Sequence, residues 1–299
     1  MGTLESIFVH QIERGDIVLA VVFVLLTSYL VYQALRLMRV EAFGGRFRPV
    51  SRLAWEMCLL LGLEQGYEFT RGHISDHPEV ALPNAYRLLD LEWRHGFFVE
   101  YRLEQFFLHF RTLMNAIDAF YVVAHVAVTI GVLMYLYAYR RQYFWFTRNL
   151  LIVTTAIALA AFYLYPTAPP RFFANYGFVD PAVLHHFVSA GGSQPGSFTY
   201  NPYAAMPSLH VGYALVVSWG VVLAAQSRLV RLLAVLYPLA MSAAVVISGE
   251  HWFLDVVGAL VTVFVAAAAV IVAERLRGTI RTVVHSVGVR SAVATLDSQ

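Results

Sequence analysis

The chain has 299 residues, of which 59% are hydrophobic and only 13% are charged, and its formal net charge is +2. Because soluble domains carry about 25% charged residues, this composition excludes an ordinary soluble protein and predicts an integral membrane protein. The single cysteine, Cys58, excludes an intrachain disulfide framework and a metal site built on several cysteines.

Six apolar runs approach or exceed the length that crosses a bilayer, about 20 residues. In chain order they are Ile17–Leu37, Ile117–Tyr139, Leu150–Tyr165, Leu209–Ala225, Leu232–Ser248 and Trp252–Ala273. The first run follows no basic segment and precedes no small-residue cleavage site, so it is predicted to be an anchor and not a signal peptide. The predicted fold class is all-α, a polytopic membrane bundle of six to seven transmembrane helices.

A seventh segment, Leu53–Phe69, combines apolar residues with three glutamates. Glu56, Glu64 and Glu68 fall on one helical stripe, because their spacing is a multiple of four. A span with such a stripe faces the bundle interior or a wet cavity and not lipid. Two roles stay open for the stripe: pairing with Arg or Tyr inside the bundle, or a polar pocket that hydrogen-bonds a polyol acceptor.

The placement of arginine predicts the orientation of the bundle. With seven spans, the arginines within residues 36–52, 140–148, 228–231 and 275–290 fall on one side, mostly in short loops. Positive-inside logic assigns this side to the cytoplasm, so the amino terminus lies outside and the carboxyl terminus inside. The protein is therefore expected in the cell membrane as a multi-pass protein.

Two long connections lie outside the cytoplasm in this topology. Gly72–Asn115 mixes apolar and charged residues at helical spacing, which predicts short amphipathic helices, either on the membrane surface or packed as an extracellular cap. Pro166–Met206 is rich in Pro, Gly, Ser and Asn and is predicted to be a loop. The whole chain, residues 1–299, is predicted to be a single membrane domain with a catalytic core over about 150–273 and a flexible tail over 282–299.

Three polar stretches come to one face of this predicted bundle, each at the end of a span: YPTAPPRF, MPSLH and SGEHWFLD. His251 and Asp255 are four residues apart on one helix, so the carboxylate can fix the tautomer of the imidazole and leave its other nitrogen as a nucleophile or base. His210 begins a neighbouring span and can protonate a leaving oxygen. Arg171 can pair with a phosphate, and the two helix amino termini favour an anion. Together these residues predict a phosphate-handling site.

The motifs resemble those of a known family. MPSLH and EHWFLD are similar to the second and third signatures of the type-2 phosphatidic acid phosphatase superfamily, PSGH and SRxxxxxHxxxD. The PTAPPRF segment, the S-L-H variant and an HxxxD motif without the upstream Arg resemble the branch that contains inositol phosphorylceramide synthases. The resemblance covers roughly residues 150–273.

This resemblance implies a metal-independent mechanism through a phosphohistidine, without a cofactor. By motif position, His251 would attack phosphorus, Asp255 would orient it and His210 would protonate the leaving alcohol. The implied substrate-binding residues are Arg171, Pro207, Ser208 and Glu250.

The chain departs from the superfamily pattern at two cationic positions. It contains no lysine to precede Arg171, and Val245 occupies the position of the third-signature arginine. Either an outer-loop arginine such as Arg87 or Arg94 fills in, or the substrate is a less charged phosphodiester. The second alternative favours a headgroup transferase over a monoester phosphatase.

The predicted function is therefore a membrane lipid-phosphate phosphatase or phosphotransferase acting at the extracytoplasmic face, with a phospholipid substrate, a possible polyol acceptor and no nucleic acid. An inositol phosphate transferase is one form of it. Two alternatives stay open: a zinc-dependent intramembrane hydrolase using His210, His251 and Asp255, and a non-enzymatic lipid transporter. The remaining loop histidines are predicted to lie on the surface: His73, His77, His95, His109, His185 and His186.

Overall fold

The computed structural model describes residues 78–179 and 203–296, with side chains up to residue 279, and Glu56. The chain forms two compact units, Met1–Thr70 and Arg71–Gln299. In the first unit only Glu56 is described, and it is helical and buried. The predicted spans Ile17–Leu37 and Leu53–Phe69, with Glu64 and Glu68, otherwise lie outside the described residues.

The described part of the second unit consists of seven α-helices and two short 3₁₀ turns, with no strand, so the all-α prediction is confirmed there. The 3₁₀ turns are Pro170–Phe172 and Ala174–Tyr176. The helices are α1 Pro78–His95, α2 Glu100–Leu108, α3 Arg111–Tyr139, α4 Arg141–Leu164, α5 Leu209–Ala224, α6 Arg228–Ile247 and α7 Phe253–Leu296.

Among these described helices, four are long and apolar enough to cross a membrane: α3, α4, α6 and the Phe253–Thr279 part of α7. They contain or overlap four of the predicted runs. The predicted total of six to seven spans is not confirmed, because two of the predicted segments lie outside the described residues and α5 has only 16 residues. The backbone of α7 stays helical to Leu296, across most of the segment predicted as a flexible tail, whose flexibility stays a prediction.

Helix α5 is the centre of the bundle. It packs against α3, α4, α6 and α7, and ten of its sixteen residues are buried. Because protein surrounds this helix, the match between its length and the lipid thickness is less constrained than for a lipid-facing span. This explains how α5 can be shorter than a full span and still begin at the end of the bundle where the polar motifs lie.

A glycine allows α4 and α5 to approach closely. A Cβ added at Gly220 would lie 2.4 Å from Thr147 Oγ1 and 3.1 Å from Leu136 Cδ1. The Thr147 hydroxyl donates a hydrogen bond to Tyr143 O (2.9 Å), and its β-branched side chain has few alternative rotamers. The side chain therefore cannot swing away without losing this bond.

We expect Gly220→Ala to destabilise the protein by about 1–3 kcal/mol, the usual cost of overpacking a tight contact. Adding Thr147→Ala should restore part of the loss, because it removes the clashing atoms. Thermal midpoints of the two single variants and the double variant in detergent test this coupling. Additive losses would show that Gly220 does not limit the distance between α4 and α5.

Helices α1 and α2 form a cap on the polar end of the bundle. Ala85, Leu88 and Leu89 of α1 share a buried cluster with Phe173, Phe178 and Trp252, which lie in the loops that follow α4 and α6. Gly96, at φ +76°, makes the turn between the two helices. Of the two arrangements predicted for Gly72–Asn115, the contacts favour the packed cap. The cap also exposes large apolar side chains, among them Trp93, Phe97 and Phe106.

Candidate active site

Four chain segments meet at one end of the bundle: the carboxyl ends of α4 and α6 and the amino ends of α5 and α7. Backbone hydrogen bonds join them directly. Ser208 N donates to Asp255 O at 3.1 Å, and Arg171 N donates to Gly249 O at 3.0 Å. The three polar stretches predicted to share one face therefore do come together.

The hydrogen bonds of His251 define its tautomer. Its Nδ1 lies 2.9 Å from Ala205 O and 3.2 Å from Asp255 Oδ2. A backbone carbonyl only accepts, so Nδ1 must carry a hydrogen, which it shares with the carboxylate. In the neutral ring Nε2 then holds a lone pair and is the nitrogen available for attack.

Asp255 is fully buried and holds two groups at once. Its Oδ2 also accepts the backbone N–H of Trp252 at 2.9 Å, the residue before the first helical position of α7. This bond is the carboxylate half of a capping box, which fixes the first turn of the helix. The predicted pairing with His251 is confirmed as geometry, and Asp255 additionally fixes the backbone that carries His251.

We expect Asp255→Asn to fold but to lower kcat by roughly 10²-fold or more, as amide replacement does in other oriented histidine systems. The amide oxygen still accepts the Trp252 N–H, whereas the negative charge that stabilises an imidazolium is lost. Turnover kinetics with a matched thermal melt would check both parts. An unchanged kcat in the folded variant would remove Asp255 from the mechanism.

His210 lies between two other imidazoles. Its ring centroid is 5.7 Å from that of His251 and 4.6 Å from that of His125, which lies on α3. The His125 ring stacks on Tyr213 at 5.1 Å, and the Tyr213 hydroxyl is 2.8 Å from Thr155 Oγ1. His210 is thus held on an aromatic and polar surface, beside the imidazole predicted to be the nucleophile.

Sequence reasoning missed His125, although a signal was present. Asp118, Tyr121 and His125 recur at helical spacing on one face of an otherwise apolar span, and Tyr121 also contacts the His210 ring at 5.3 Å. A polar stripe in a membrane helix faces the bundle interior or water. That rule was applied to Leu53–Phe69 and would have applied equally here.

Pro207 and Ser208 form the amino end of α5. Ser208 is the N-cap residue, and its hydroxyl accepts a long hydrogen bond from Val211 N at 3.5 Å. Pro207 packs against α7, where a Cβ added at Gly258 would lie 3.4 Å from Pro207 Cβ. These contacts show that Pro207 and Ser208 fix the start of α5. Their role in binding phosphate stays a prediction.

Arg171 is buried and forms an ion pair with Glu250, one residue before His251. Its guanidinium also lies 5.4 Å from the centroid of the Phe172 ring. Glu250 was predicted to bind substrate, and in the structure its carboxylate pairs with Arg171, so a direct contact of Glu250 with substrate stays a prediction. The expected phosphate cation therefore has a carboxylate partner.

The amino end of α7 was predicted to offer its N–H groups to a phosphate. In the structure, carboxyl groups of the protein accept these N–H groups instead. Phe253 N donates to Glu100 Oε1, and Leu254 N donates to Glu92 Oε1 at 2.8 Å. Together with Asp255, two glutamates of the cap thus satisfy the first turn. A third cap glutamate, Glu104, accepts Val179 N at 3.2 Å.

These three cap glutamates are fully buried and were also missed from the sequence. Burial raises the pKa of Glu104 to about 7, and Asp118 adds to the effect while the bond from Val179 opposes it. Burial also raises the pKa of Glu92, to about 10, and that of Glu100. The only sequence signal was the four-residue spacing of Glu100 and Glu104 on a helix predicted to be amphipathic.

A family model described as the PAP2 superfamily matches residues 86–269, more than half of the chain. The chain belongs to the PAP2 superfamily. Its members are typically phosphatases or phosphotransferases. The match includes all seven residues predicted for the site, and the family predicted from MPSLH and EHWFLD is confirmed, whereas the inositol phosphorylceramide synthase branch is not distinguished by it. No curated protein and no solved structure matched the chain.

The departures from the superfamily signatures are clear in the structure. Val245, at the third-signature arginine position, is fully buried, and its carbonyl accepts the N–H groups of Glu250 and His251, each at 3.1 Å. The predicted substitutes lie elsewhere: Arg94 pairs with Asp90 on the exposed face of α1, and Arg87 is exposed and hydrogen-bonds Asn84. Neither of these two arginines joins Arg171.

The remaining predictions concern histidines and metals. His95 and His109 are exposed, as predicted, and each ring bonds a carbonyl of its own helix. His73, His77, His185 and His186 lie outside the described residues. Within the described segments, no three His, Cys, Asp or Glu side chains are arranged to hold a metal, so His210, His251 and Asp255 do not form the predicted zinc alternative there.

Proposed function

We propose that this PAP2 superfamily protein transfers a phosphate group from a membrane lipid through a phosphohistidine at His251. The observation that carries the proposal is the bond from His251 Nδ1 to the Ala205 carbonyl, which leaves Nε2 unprotonated beside the His210 ring. A single imidazole inside a helix bundle is common and does not by itself indicate catalysis. An imidazole with its tautomer fixed by a carbonyl and a buried carboxylate is prepared for nucleophilic attack.

The proposed reaction has two balanced steps. Nε2 attacks phosphorus as the bond from phosphorus to the lipid oxygen breaks, and His210 gives its proton to that leaving oxygen. In the second step water or an acceptor alcohol attacks the phosphohistidine, His210 takes the proton from the attacking oxygen, and Nε2 leaves. Asp255 stabilises the positive charge that develops on the His251 ring.

The charge of the site favours a phosphodiester substrate. Arg171 and Glu250 together contribute no net charge, and Val245 replaces the superfamily arginine. A phosphomonoester carries about −1.5 to −2 at neutral pH, whereas a diester carries a single charge and needs less cationic compensation. We therefore propose a phospholipid headgroup transferase over a monoester phosphatase, with a polyol such as inositol as the acceptor.

The proposed location of the site is the extracytoplasmic face. Arg140 and Arg141 join α3 to α4, and Arg228 and Arg231 begin α6, all at the end of the bundle opposite to the site. Short loops rich in arginine stay in the cytoplasm. The lipid tail would remain in the bilayer while the headgroup reaches His251.

The test is release of headgroup or phosphate from a panel of phospholipids by purified protein in EDTA, with and without inositol. Turnover that requires the alcohol supports the transferase, and turnover in water alone supports the phosphatase form. Turnover that appears only after zinc is added would replace the proposal with the zinc hydrolase. Lipid movement across vesicles without phosphate release would replace it with the transporter.

A further inference from the structure

The first turn of α7 is held by residues from a distant part of the chain. Phe253 and Leu254 are separated from Glu100 and Glu92 by 153 and 162 residues, yet their N–H groups donate to these two carboxyls. Both glutamate side chains have no solvent exposure. The first N–H groups of a helix have no partner within it, so a buried helix start needs such acceptors. Here it receives two from the cap, directly after the imidazole that carries the proposed chemistry.

The two glutamates lie side by side. They accept the N–H groups of consecutive residues, Phe253 and Leu254, so their carboxyl groups are neighbours, and neither side chain reaches solvent. Two ionised carboxylates can only accept, whereas a carboxyl group that keeps a proton can donate it to its neighbour. The Oε2 atoms of both receive no hydrogen bond within the described residues, which leaves a place for that proton. Burial disfavours two charges so close together and therefore favours the singly charged pair.

We propose that Glu92 and Glu100 share one proton and act as positioning residues for His251. The pair fixes the N–H groups of Phe253 and Leu254, and through them the turn that carries Trp252 and Asp255. A second negative charge would face Asp255, which already lies close enough to Glu92 to interact with it electrostatically. The single proton therefore keeps the cap attached to the start of α7. The kinetic part of this proposal rests on the function proposed for His251.

The groups that face the pair set its dependence on pH. Glu92 on α1 faces Glu100 of α2 and Asp255 of α7, and Glu100 faces Glu92. Glu104, one turn further along α2, faces Asp118 of α3. These are all carboxyl groups, so they favour retention of the proton by the pair.

Glutamine variants separate the proton from the shape. In Glu92→Gln or Glu100→Gln the amide N–H replaces the shared proton, while the amide oxygen still accepts the N–H from α7. We expect both variants to keep kcat within about threefold of wild type at neutral pH. The hydrogen bonds of the pair are kept, so the free energy of the site should change little. The alanine variants should lose kcat by about tenfold or more with little change in KM. Glu104→Gln, equally buried but bonded to Val179, is the matched control.

The proton itself is measured by infrared spectroscopy at pH 8.5 in a detergent without ester groups. We expect wild type to show the carbonyl stretch of a protonated carboxylic acid, and Glu92→Gln and Glu100→Gln each to lose it, whereas Glu104→Gln keeps it. This readout needs no substrate, so it remains decisive if the function proposed for His251 fails. A wild-type spectrum without this band would overturn the shared proton. Alanine variants with wild-type kcat would overturn the positioning role.

The stability of the protein should depend on this proton as well. Burial and the neighbouring Glu100 raise the pKa of Glu92 from 4.5 to about 10. Between these values the folded state holds a proton that the unfolded state has released, so stability falls as the pH rises. The pKa of Glu104 is raised only to about 7, so its contribution to the loss of stability is confined to pH values below 7. We expect Glu92→Gln to flatten the decline of the thermal midpoint above pH 7, and Glu104→Gln to flatten it only below; equal slopes in all three proteins would contradict the assignment.

Discussion

Replacing His251 with asparagine should abolish lipid phosphate turnover, with a loss of roughly 10⁴-fold or more in kcat, as removal of a nucleophile does in other enzymes. The asparagine amide can still donate to Ala205 O, which His251 Nδ1 does at 2.9 Å. The nitrogen equivalent to Nε2 is absent. The loss should therefore come from chemistry and not from a disturbed loop, and the substrate KM should change little.

Two controls make this result decisive. His95→Asn removes an imidazole of the same size from the exposed end of α1, where its Nδ1 bonds Leu91 O, and should leave kcat unchanged. EDTA should leave the wild-type rate unchanged. If His251→Asn folds with a wild-type melting profile and keeps its turnover, His251 is not the nucleophile and the proposed mechanism is wrong.

His210→Gln should lower kcat by about 10²–10⁴-fold on a natural phospholipid, the usual contribution of a general acid. The size of the effect should depend on the leaving group. An alkoxide needs a proton to depart, whereas nitrophenolate does not. With a synthetic nitrophenyl phosphate ester, the first step, measured as the burst of nitrophenolate release, should therefore proceed in His210→Gln at close to the wild-type rate.

The same ester distinguishes the two histidines. His251→Asn should fail on both substrates, because the attacking nitrogen is missing whatever the leaving group. His109→Gln, which changes an exposed ring bonded to Gln105 O, is the matched control for His210 and should behave as wild type. An equal loss of the first-step rate on both substrates in His210→Gln would show that His210 binds or positions the phosphate and does not act as an acid.

Local sequence pattern was sufficient to predict that the His251 and Asp255 side chains pair. The four-residue spacing of His251 and Asp255 requires only that the segment be helical, and the apolar run after it made a helix certain. The ends of the spans placed His210 and Arg171 on the same face, because successive membrane helices alternate in direction. The all-α class and four of the span positions followed from hydropathy for the same reason.

Contacts between segments far apart in the sequence could not be predicted from local sequence pattern. Glu92 and Glu100 meet α7 only because the cap folds back over the end of the bundle, and no periodicity within α1 or α2 reports that. Three carboxyl groups on the two cap helices are buried, against the usual exposure of glutamate, so residue type gave no signal of their burial. The partner of Arg171 was likewise missed, since Glu250 looks like a second binding residue until its carboxylate is placed against the guanidinium.

The amino end of α7 shows how a general rule was overridden. Helix amino termini favour anions, and that rule predicted a phosphate. Here the acceptors are carboxyl groups of the protein itself, from Asp255, Glu100 and Glu92. The positive end of α7 therefore holds the backbone beside His251, and phosphate binding by Arg171 and the amino end of α5 stays a proposal.

The most direct test of the proposed mechanism is to trap the intermediate. Purified protein would be mixed with phospholipid labelled at phosphorus, quenched in alkali, in which a phosphohistidine survives, and mapped by mass spectrometry. The proposed mechanism predicts a phosphate adduct on His251 that accumulates at low acceptor concentration and is lost in acid. Turnover by the wild type with no adduct on His251 under these conditions, or an adduct on another residue, would contradict it.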